Sequence, residues 1–423
     1  MTYSNQLAIG LTTVIFIGAA LSPVLKAENG GEETGQMPFV TPAQDSRAEV
    51  ETIMLRFAEY KIKQMDELAA RLNIQIPDEF KRIGQSILEN TSWDNVADQY
   101  GKLRFRSGQY TDGKCDPTIS TALWSGPILE LYGAYEQAKN WEPDILKLYA
   151  DLILKDLPAG SIFMGGTDAG RFVPTMFRYG YGSPDVYIIT QNALADNNYE
   201  EYIRTIYGQT IKLPTPQDIN RVFQSYVEDI RAGRIPKNAN VTVDKEGKAS
   251  VQGVQGVMEI NGIISKAIFD MNKAKHAFYV EESYVIAWMY PYLVQHGIIM
   301  QLMPDKVTLT DEIISNDTRY WEALCQELVS RADFGKDVMA KKAFSKMRCA
   351  QAGIYAFHRR YDLAEAAFKQ ALDLCSVSPE ANFRLADCYL KQGKKKEARE
   401  VMAHYLSLEP GNAKAEEFLK QTN

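Results

Sequence analysis

Residues 161–170 read Ser-Ile-Phe-Met-Gly-Gly-Thr-Asp-Ala-Gly and join an apolar run to a glycine-rich corner. A helical pattern follows over residues 171–181, and a second apolar run, Asp185 to Thr190, comes directly after it. This order predicts a strand, a turn, a helix and a second strand parallel to the first. Because parallel strands need helical cover on both faces, the stretch predicts an α/β core.

The segments that follow predict the rest of this core as an α/β domain over residues 158–305. Alternating polar and apolar residues around Glu246-Gly247 predict a hairpin insertion at about 239–253. The predicted fold is a mostly parallel, Rossmann-like sheet with helical cover. Its other predicted elements are helices at 196–206, 216–231, 256–271 and 284–294, and strands at 210–213, 276–280 and 297–302.

A helical segment is predicted before the core, over residues 47–157. Apolar residues recur at helical spacing from Arg47 to Leu72, which predicts one long amphipathic helix. Further helices are expected at 78–88 and 144–154. Residues 28–46 are polar and glycine-rich, which is typical of a flexible tether.

The first 27 residues contain an almost uninterrupted apolar run from Leu7 to Leu25. Such a run is typical of a cleaved export signal, and it is also just long enough to serve as an uncleaved membrane anchor. In either case we expect the rest of the chain to be exported, to the periplasm or attached to the cell envelope.

Residues 306–423 predict a helical domain that repeats. Ala364 and Ala398 are 34 positions apart, and the same offset relates Tyr355 to Tyr389. This pattern resembles the tetratricopeptide repeat, with repeats at about 345–378 and 379–412 and a capping helix at 413–421. The resemblance implies stacked helix pairs with a surface that binds a protein partner.

Residues 158–305 resemble the soluble C-terminal region of bacterial protein-O-mannosyltransferase-like membrane proteins. The resemblance rests on three segments, 161–172, 184–194 and 276–304. The multi-span catalytic part of that family is absent, and the family's acidic corner is reduced here to Asp168. The resemblance therefore implies a related soluble domain and does not imply sugar transfer.

Polar residues follow each predicted parallel strand, where ligands bind in open α/β sheets. An anion could be held by the first strand end, and a sugar hydroxyl or metal by the carboxylates of the third. Thr167, Asp168 or Ser283 could equally be a helix N-cap. The candidate ligand-binding residues are Asp168, Arg171, Gln191, Asn192, Glu281 and Glu282.

Composition excludes several classes of function. The net charge is −7 and no basic block is present, so nucleic acid is not an expected partner. The five cysteines and four histidines are scattered, which predicts neither a disulfide framework nor a metal site. The sequence contains no dinucleotide fingerprint, phosphate loop or GxSxG motif, so we predict no cofactor and no catalytic residue.

Two functions are compatible with these patterns. The first is an exported, non-enzymatic scaffold that presents its repeats to a protein partner and is tethered to the membrane if the apolar run is retained. The alternative is a carbohydrate- or nucleotide-sugar-binding accessory protein or enzyme of envelope glycan metabolism, which would use the strand ends.

Overall fold

The fold is taken from a computed structural model, which describes residues 46–108, 115–155, 157–181, 186–234, 240–243, 249–252, 254–281 and 286–422. The predicted export signal, and the tether except for its last residue, lie outside these ranges. Within the described residues, no helix is both long and apolar enough to cross a bilayer.

Helices make up most of the described chain. The long helix predicted from Arg47 is confirmed as α1, and those predicted at 78–88 and 144–154 are confirmed as α2 and α5. The helices are α1 (Ser46–Leu72), α2 (Asp78–Leu88), α3 (Trp93–Arg106), α4 (Leu129–Asn140), α5 (Pro143–Leu154), α6 (Asp168–Gly180), α7 (Asn197–Tyr207), α8 (Pro216–Arg231), α9 (Val254–Asn272), α10 (Asp311–Ser330), α11 (Ala332–Lys336), α12 (Val338–Phe357), α13 (Tyr361–Leu374), α14 (Pro379–Lys391), α15 (Lys395–Leu408) and α16 (Ala413–Gln421).

The strands are short and belong to two sheets. A separate two-stranded hairpin pairs β3 with β4, where the insertion was predicted. The main sheet has the order β2-β1-β5-β7-β6. The strands are β1 (Ile162–Gly165), β2 (Tyr187–Thr190), β3 (Asn240–Val243), β4 (Ala249–Gln252), β5 (Phe278–Val280), β6 (Leu293–His296) and β7 (Ile299–Leu302).

The main sheet is mixed, so the predicted mostly parallel, Rossmann-like fold is wrong. β1 pairs in parallel with β2 and β5, as its flanking segments predict. However, β7 pairs antiparallel with both β5 and β6. With strands of three or four residues and sixteen described helices, the molecule is a helical protein around a small mixed sheet.

The error lies mainly in residues 284–294, which were predicted as a helix. In the described part of this range, a 3-10 turn at Tyr290–Tyr292 leads into β6 instead. Pro291 has no amide hydrogen to donate and so favours such an interruption. Gly297 then adopts a φ of 58° in the turn between β6 and β7. A short turn of this kind reverses the chain and makes the next strand antiparallel. The strand predicted at 210–213 is likewise absent from the described structure.

One large hydrophobic core extends from Val50 in α1 to Leu374 in α13, and a second core fills the C-terminal helices. The helix α12 contributes to both, with Met347 and Ile354 in the first and Tyr355 in the second. A helix that packs apolar residues on two faces is buried on both of those faces. The helix α12 therefore packs against both the sheet region and the C-terminal helices.

Candidate functional site

The carboxyl ends of β1, β2 and β5 meet at one edge of the sheet, because these strands are adjacent and parallel. Asp168 begins α6 directly after β1, Asn192 follows β2, and Glu281 follows β5. The structure thus gathers these predicted residues around the loop at Gly166 and Thr167. Glu282 lies outside the described residues.

Glu281 is directed into the protein. Its carboxylate accepts a hydrogen bond from the Thr167 hydroxyl at 2.7 Å and from the backbone amides of Gly166 and Thr167 at 3.3 Å each. The side chain is only 1% exposed. A carboxylate at this point satisfies amides at the start of α6 and interacts favourably with the helix dipole. The position that we assigned to a bound anion is thus filled by the protein's own Glu281.

The structure explains why one residue of the glycine-rich corner, Gly170, is a glycine. A Cβ atom on this residue would lie 2.0 Å from Glu281 Oε2, which is too close for any side chain. Thr167 also caps α6 by accepting a hydrogen bond from the Gly170 amide at 2.9 Å. The helix-cap reading of Thr167 is therefore confirmed.

Asn192 and Gln191 differ in how they are bonded. Asn192 Nδ2 donates to the carbonyl oxygen of Gly166 at 3.2 Å and so braces the same loop. Gln191 has no exposed surface, and neither its Nε2 nor its Oε1 has a hydrogen-bond partner within the described structure. An unpaired buried amide is costly, and native structures contain few of them.

Asp168 is exposed at this edge and pairs with the partly buried Arg171. Arg171 Nη2 lies 2.7 Å from Asp168 Oδ1, and the Asp168 side chain is 52% exposed. The sequence analysis missed Glu136 in α4, which interacts electrostatically with both. Burial, together with the negative charge of Asp168, raises the pKa of Glu136 to about 7. No local motif marked Glu136, because it lies on the face of a helix 32 positions before Asp168.

This edge therefore holds one exposed ion pair above a loop that is closed by internal hydrogen bonds. In the described part of the chain, no group of three or more His, Cys, Asp or Glu side chains is placed to hold a metal ion. The ligand-binding roles of Asp168, Arg171, Gln191, Asn192, Glu281 and Glu282 remain predictions.

The C-terminal helices form the second candidate site. The pair α12–α13 packs on the pair α14–α15, and α16 packs on α15. Small residues allow the close approach, since Ala364 and Ala398 are both fully buried. Ser378 caps α14 and Asn412 caps α16, so these two helices begin at a side-chain hydrogen bond.

Residues 358–421 match the family described as Tetratricopeptide repeat. The matched residues span α13 to α16, and they confirm the resemblance drawn from the 34-residue offset. Proteins use the surfaces of such repeat arrays to bind other proteins. Neither the curated proteins nor the solved structures contain a match to this chain.

The helix α12 joins the repeats to the turn between β6 and β7. Gln351 Nε2 donates to the carbonyl oxygens of Gly297 at 2.7 Å and Ile299 at 2.9 Å. Gln351 Oε1 also accepts from the indole N–H of Trp321 in α10. The Gln351 side chain thus hydrogen-bonds α12 both to the sheet region and to α10.

Proposed function

We propose that the protein is an exported, non-enzymatic scaffold that binds a protein partner through its helical repeats. The match of residues 358–421 to the tetratricopeptide repeat carries this proposal. The absence of a recognisable catalytic motif in the sequence supports a binding role over a catalytic one. The edge of the main sheet supports it as well, because Glu281 is already bonded inside the protein.

Export is the part of this proposal that rests on residues 7–25 alone. It is tested by sequencing the N-terminus of the protein isolated from envelope and soluble fractions. A new N-terminus near residue 27 supports a cleaved signal, and an intact Met1 in the membrane fraction supports an anchor. Recovery of intact Met1 protein from the soluble cytoplasmic fraction would contradict export.

The partner is sought by crosslinking and pull-down with the full-length chain. The full-length chain should be compared with a deletion variant that lacks residues 379–423, which contain α14 to α16. A deletion from residue 345 would cut α12 within its length and expose Met347 and Ile354 of the main core. Circular dichroism checks that the shorter chain keeps its fold.

Point variants make the test independent of the deletion. Lys391 in α14 is 52% exposed and pairs with Asp387 at 2.7 Å, while Lys369 in α13 is 55% exposed and pairs with Glu365 at 2.8 Å. Lys391→Glu should lose the partner if it binds on α14, and Lys369→Glu serves as the matched control. The proposal fails if no captured protein is lost on deletion of residues 379–423, or if every protein lost with Lys391→Glu is lost equally with Lys369→Glu.

The sugar-binding alternative rests on the resemblance of residues 158–305 and on the strand ends. No contact within the described residues favours it over the scaffold. A ligand test should concentrate on the exposed Asp168 and on Arg171, which pairs with it and is 17% exposed.

A further inference from the structure

Two tyrosine rings stack on each other where α1 packs on α6. The ring centroids of Tyr60 in α1 and Tyr179 in α6 are 3.9 Å apart, and the ring planes differ by 24°. The Tyr60 hydroxyl donates a hydrogen bond to the Tyr179 hydroxyl at 3.1 Å. The two hydroxyls therefore point the same way, and the rings are closer together at their hydroxyl ends than at their centres.

Contacts on both helices hold the two rings at this distance. A Cβ atom on Gly180, the residue after Tyr179, would lie 2.4 Å from Ile53 Cγ2 in α1, so a larger residue there would push the helices apart. Gln64, one turn after Tyr60, donates from Nε2 to the Tyr60 hydroxyl at 3.2 Å. The stacked pair is thus positioned by its neighbours on both α1 and α6.

One member of the pair is open to solvent. Tyr60 is 37% exposed, whereas Tyr179 is partly buried against the main core. An oxidant at the protein surface therefore reaches Tyr60 directly and reaches Tyr179 through the stacked ring. A second stacked pair, Tyr100 and Tyr132, has centroids 3.6 Å apart, but Tyr100 is only 5% exposed.

Stacked phenols of this kind can be joined by oxidation. When a phenol loses one electron and its hydroxyl proton, the unpaired electron of the phenoxyl radical is shared with the carbons next to the C–O carbon, which in tyrosine are the two Cε atoms. Two such radicals combine by forming one Cε–Cε bond. Each joined carbon then loses a proton while each oxygen regains one, so the product is dityrosine and the pair has lost two hydrogen atoms.

The geometry of this pair suits the bond-forming step. The Cε atoms lie between the ring centre and the hydroxyl, which is the part of the stack where Tyr60 and Tyr179 are closest. Reacting atoms that are held about 3–3.5 Å apart combine far faster than free reactants do. The fold therefore brings together two residues of distant segments in a position from which they can couple.

We propose that Tyr60 and Tyr179 are a site of oxidative cross-linking, at which a dityrosine joins α1 covalently to α6. The oxidant belongs to the peroxidase class. Two one-electron steps at the exposed Tyr60 remove two electrons and two protons from the pair, and one hydrogen peroxide is reduced to two water molecules. The first radical passes to Tyr179 through the stacked rings before the second step occurs. This modification is independent of the proposed scaffold function.

A cross-link at this site should stabilise the protein. It closes a loop that contains residues 61–178, and a covalent link across a loop of roughly 100 residues strongly restricts the unfolded chain. The cross-linked monomer should therefore have a Tm at least about 5 °C above that of the untreated monomer. Equal Tm values for the two forms would overturn the claim that the site locks α1 to α6.

The test treats dilute full-length protein with a peroxidase and hydrogen peroxide and isolates the monomer by size-exclusion chromatography. Mass spectrometry of a proteolytic digest should find a peptide pair joined at Tyr60 and Tyr179, two hydrogen atoms lighter than the separate peptides. Dityrosine fluorescence of the monomer should fall at least tenfold in Tyr60→Phe and in Tyr179→Phe, because phenylalanine keeps the ring but has no hydroxyl to oxidise.

Tyr132→Phe is the matched control, because it removes one ring hydroxyl from the other stacked pair and should leave the cross-link at the wild-type level. Circular dichroism checks that each untreated variant is folded, and dityrosine formed from free tyrosine confirms that the peroxidase is active. A treated wild-type monomer without the Tyr60–Tyr179 peptide, whatever other oxidation products it contains, would overturn the proposal. Equal dityrosine fluorescence in the wild type and Tyr60→Phe would overturn it as well.

Discussion

Asp317 in α10 and Arg348 in α12 face each other with 2.8 Å between Oδ2 and Nη1, and their side chains are 1% and 3% exposed. The Tyr355 hydroxyl donates to the same carboxylate oxygen at 2.7 Å. A buried ion pair contributes little net stability compared with apolar residues, but removing one partner leaves an unpaired charge. This pair therefore determines the position of α12 against α10 and adds little to the net stability of the core.

Removing one charge of this pair should be severely destabilising. We expect Asp317→Asn or Arg348→Met to lower the free energy of unfolding by about 3–5 kcal/mol, measured by urea denaturation. The double variant should lose less than the sum of the two single losses.

The exposed pair of Asp387 and Lys391 provides the control for this comparison. Asp387 is 58% exposed, so Asp387→Asn should change the unfolding free energy by less than about 0.5 kcal/mol. Similar losses at Asp317 and Asp387 would contradict the role given to the buried pair.

Lys61 is the second buried charge with a clear consequence. It is 1% exposed, forms an ion pair with Glu130, and donates to Gln64 Oε1 at 2.7 Å and Tyr202 Oη at 3.0 Å. Lys61→Met should cost about 3–5 kcal/mol of unfolding free energy because Glu130 loses its positively charged partner and keeps only the hydrogen bond from Tyr202. Lys63→Met, two positions away on α1 and 79% exposed, should cost less than about 0.5 kcal/mol. Equal effects of the two variants would exclude a structural role for the Lys61 network.

Glu136 predicts a pH dependence of stability. Its pKa in the folded protein is raised to about 7 by burial and by Asp168, compared with an ordinary value of 4.5. Between these values the folded protein holds a proton that the unfolded chain has lost. Stability should therefore fall as the pH rises from about 4.5 to 7, by about 1–3 kcal/mol in all, and then level off.

Variants at Glu136 and its two neighbours test this assignment. Glu136→Gln should remove this contribution to the pH dependence of the unfolding free energy. Asp168→Asn should lower the pKa of Glu136, and Arg171→Gln should raise it, because the two charges act in opposite directions. If the unfolding free energy of Glu136→Gln and of the wild type depended on pH in the same way, Glu136 would not be the titrating group.

Glu281 should behave as a structural residue. Glu281→Gln should lose about 1–3 kcal/mol of unfolding free energy, because an amide nitrogen replaces one of the two oxygens and cannot accept either from the two backbone amides or from the Thr167 hydroxyl. Thr167→Ser keeps the hydroxyl that donates to Glu281, so its loss of unfolding free energy should be well under half of the loss in Glu281→Gln. A Glu281→Gln protein as stable as the wild type would mean that the loop is held by other contacts.

A thermal-shift panel of nucleotide sugars tests the predicted ligand site at Asp168. Because Glu281 supports the fold, Asp168→Ala is the informative variant and Lys63→Met the surface control. If a sugar nucleotide binds there, it should raise Tm for the wild type and the control but not for Asp168→Ala. A panel without any shift in the wild type would count against a sugar ligand.

Part of this structure follows from local sequence patterns. The helix from Ser46 to Leu72 and the pairing of β1 with β2 depend on periodicity and on the order of neighbouring elements. The repeat is readable because Ala364 and Ala398 mark the same small-residue contact twice. These features are set by residues close together in the chain or by repetition.

Other features depend on contacts between distant segments. Residues 290–296 have a composition that suits a helix or a strand, and their pairing with β7 decides between the two. Glu281 looks like a ligand-binding carboxylate until Thr167, which is 114 positions away, is seen to bond to it. Burial raises the pKa of Glu136 and leaves Gln191 without exposed surface. A single sequence does not reveal such burial.

Because α12 is buried in two cores, the helices of the repeat region should unfold in a fixed order. A stack of repeats normally frays from both ends, because each end has only one neighbour. Here the first helix is embedded in the sheet region, so opening can start only from α16 and must proceed backwards through α15 and α14. Amide hydrogen exchange should consequently slow steadily from α16 to α12, so that the C-terminal helices open most often and α12 opens only when the main core does.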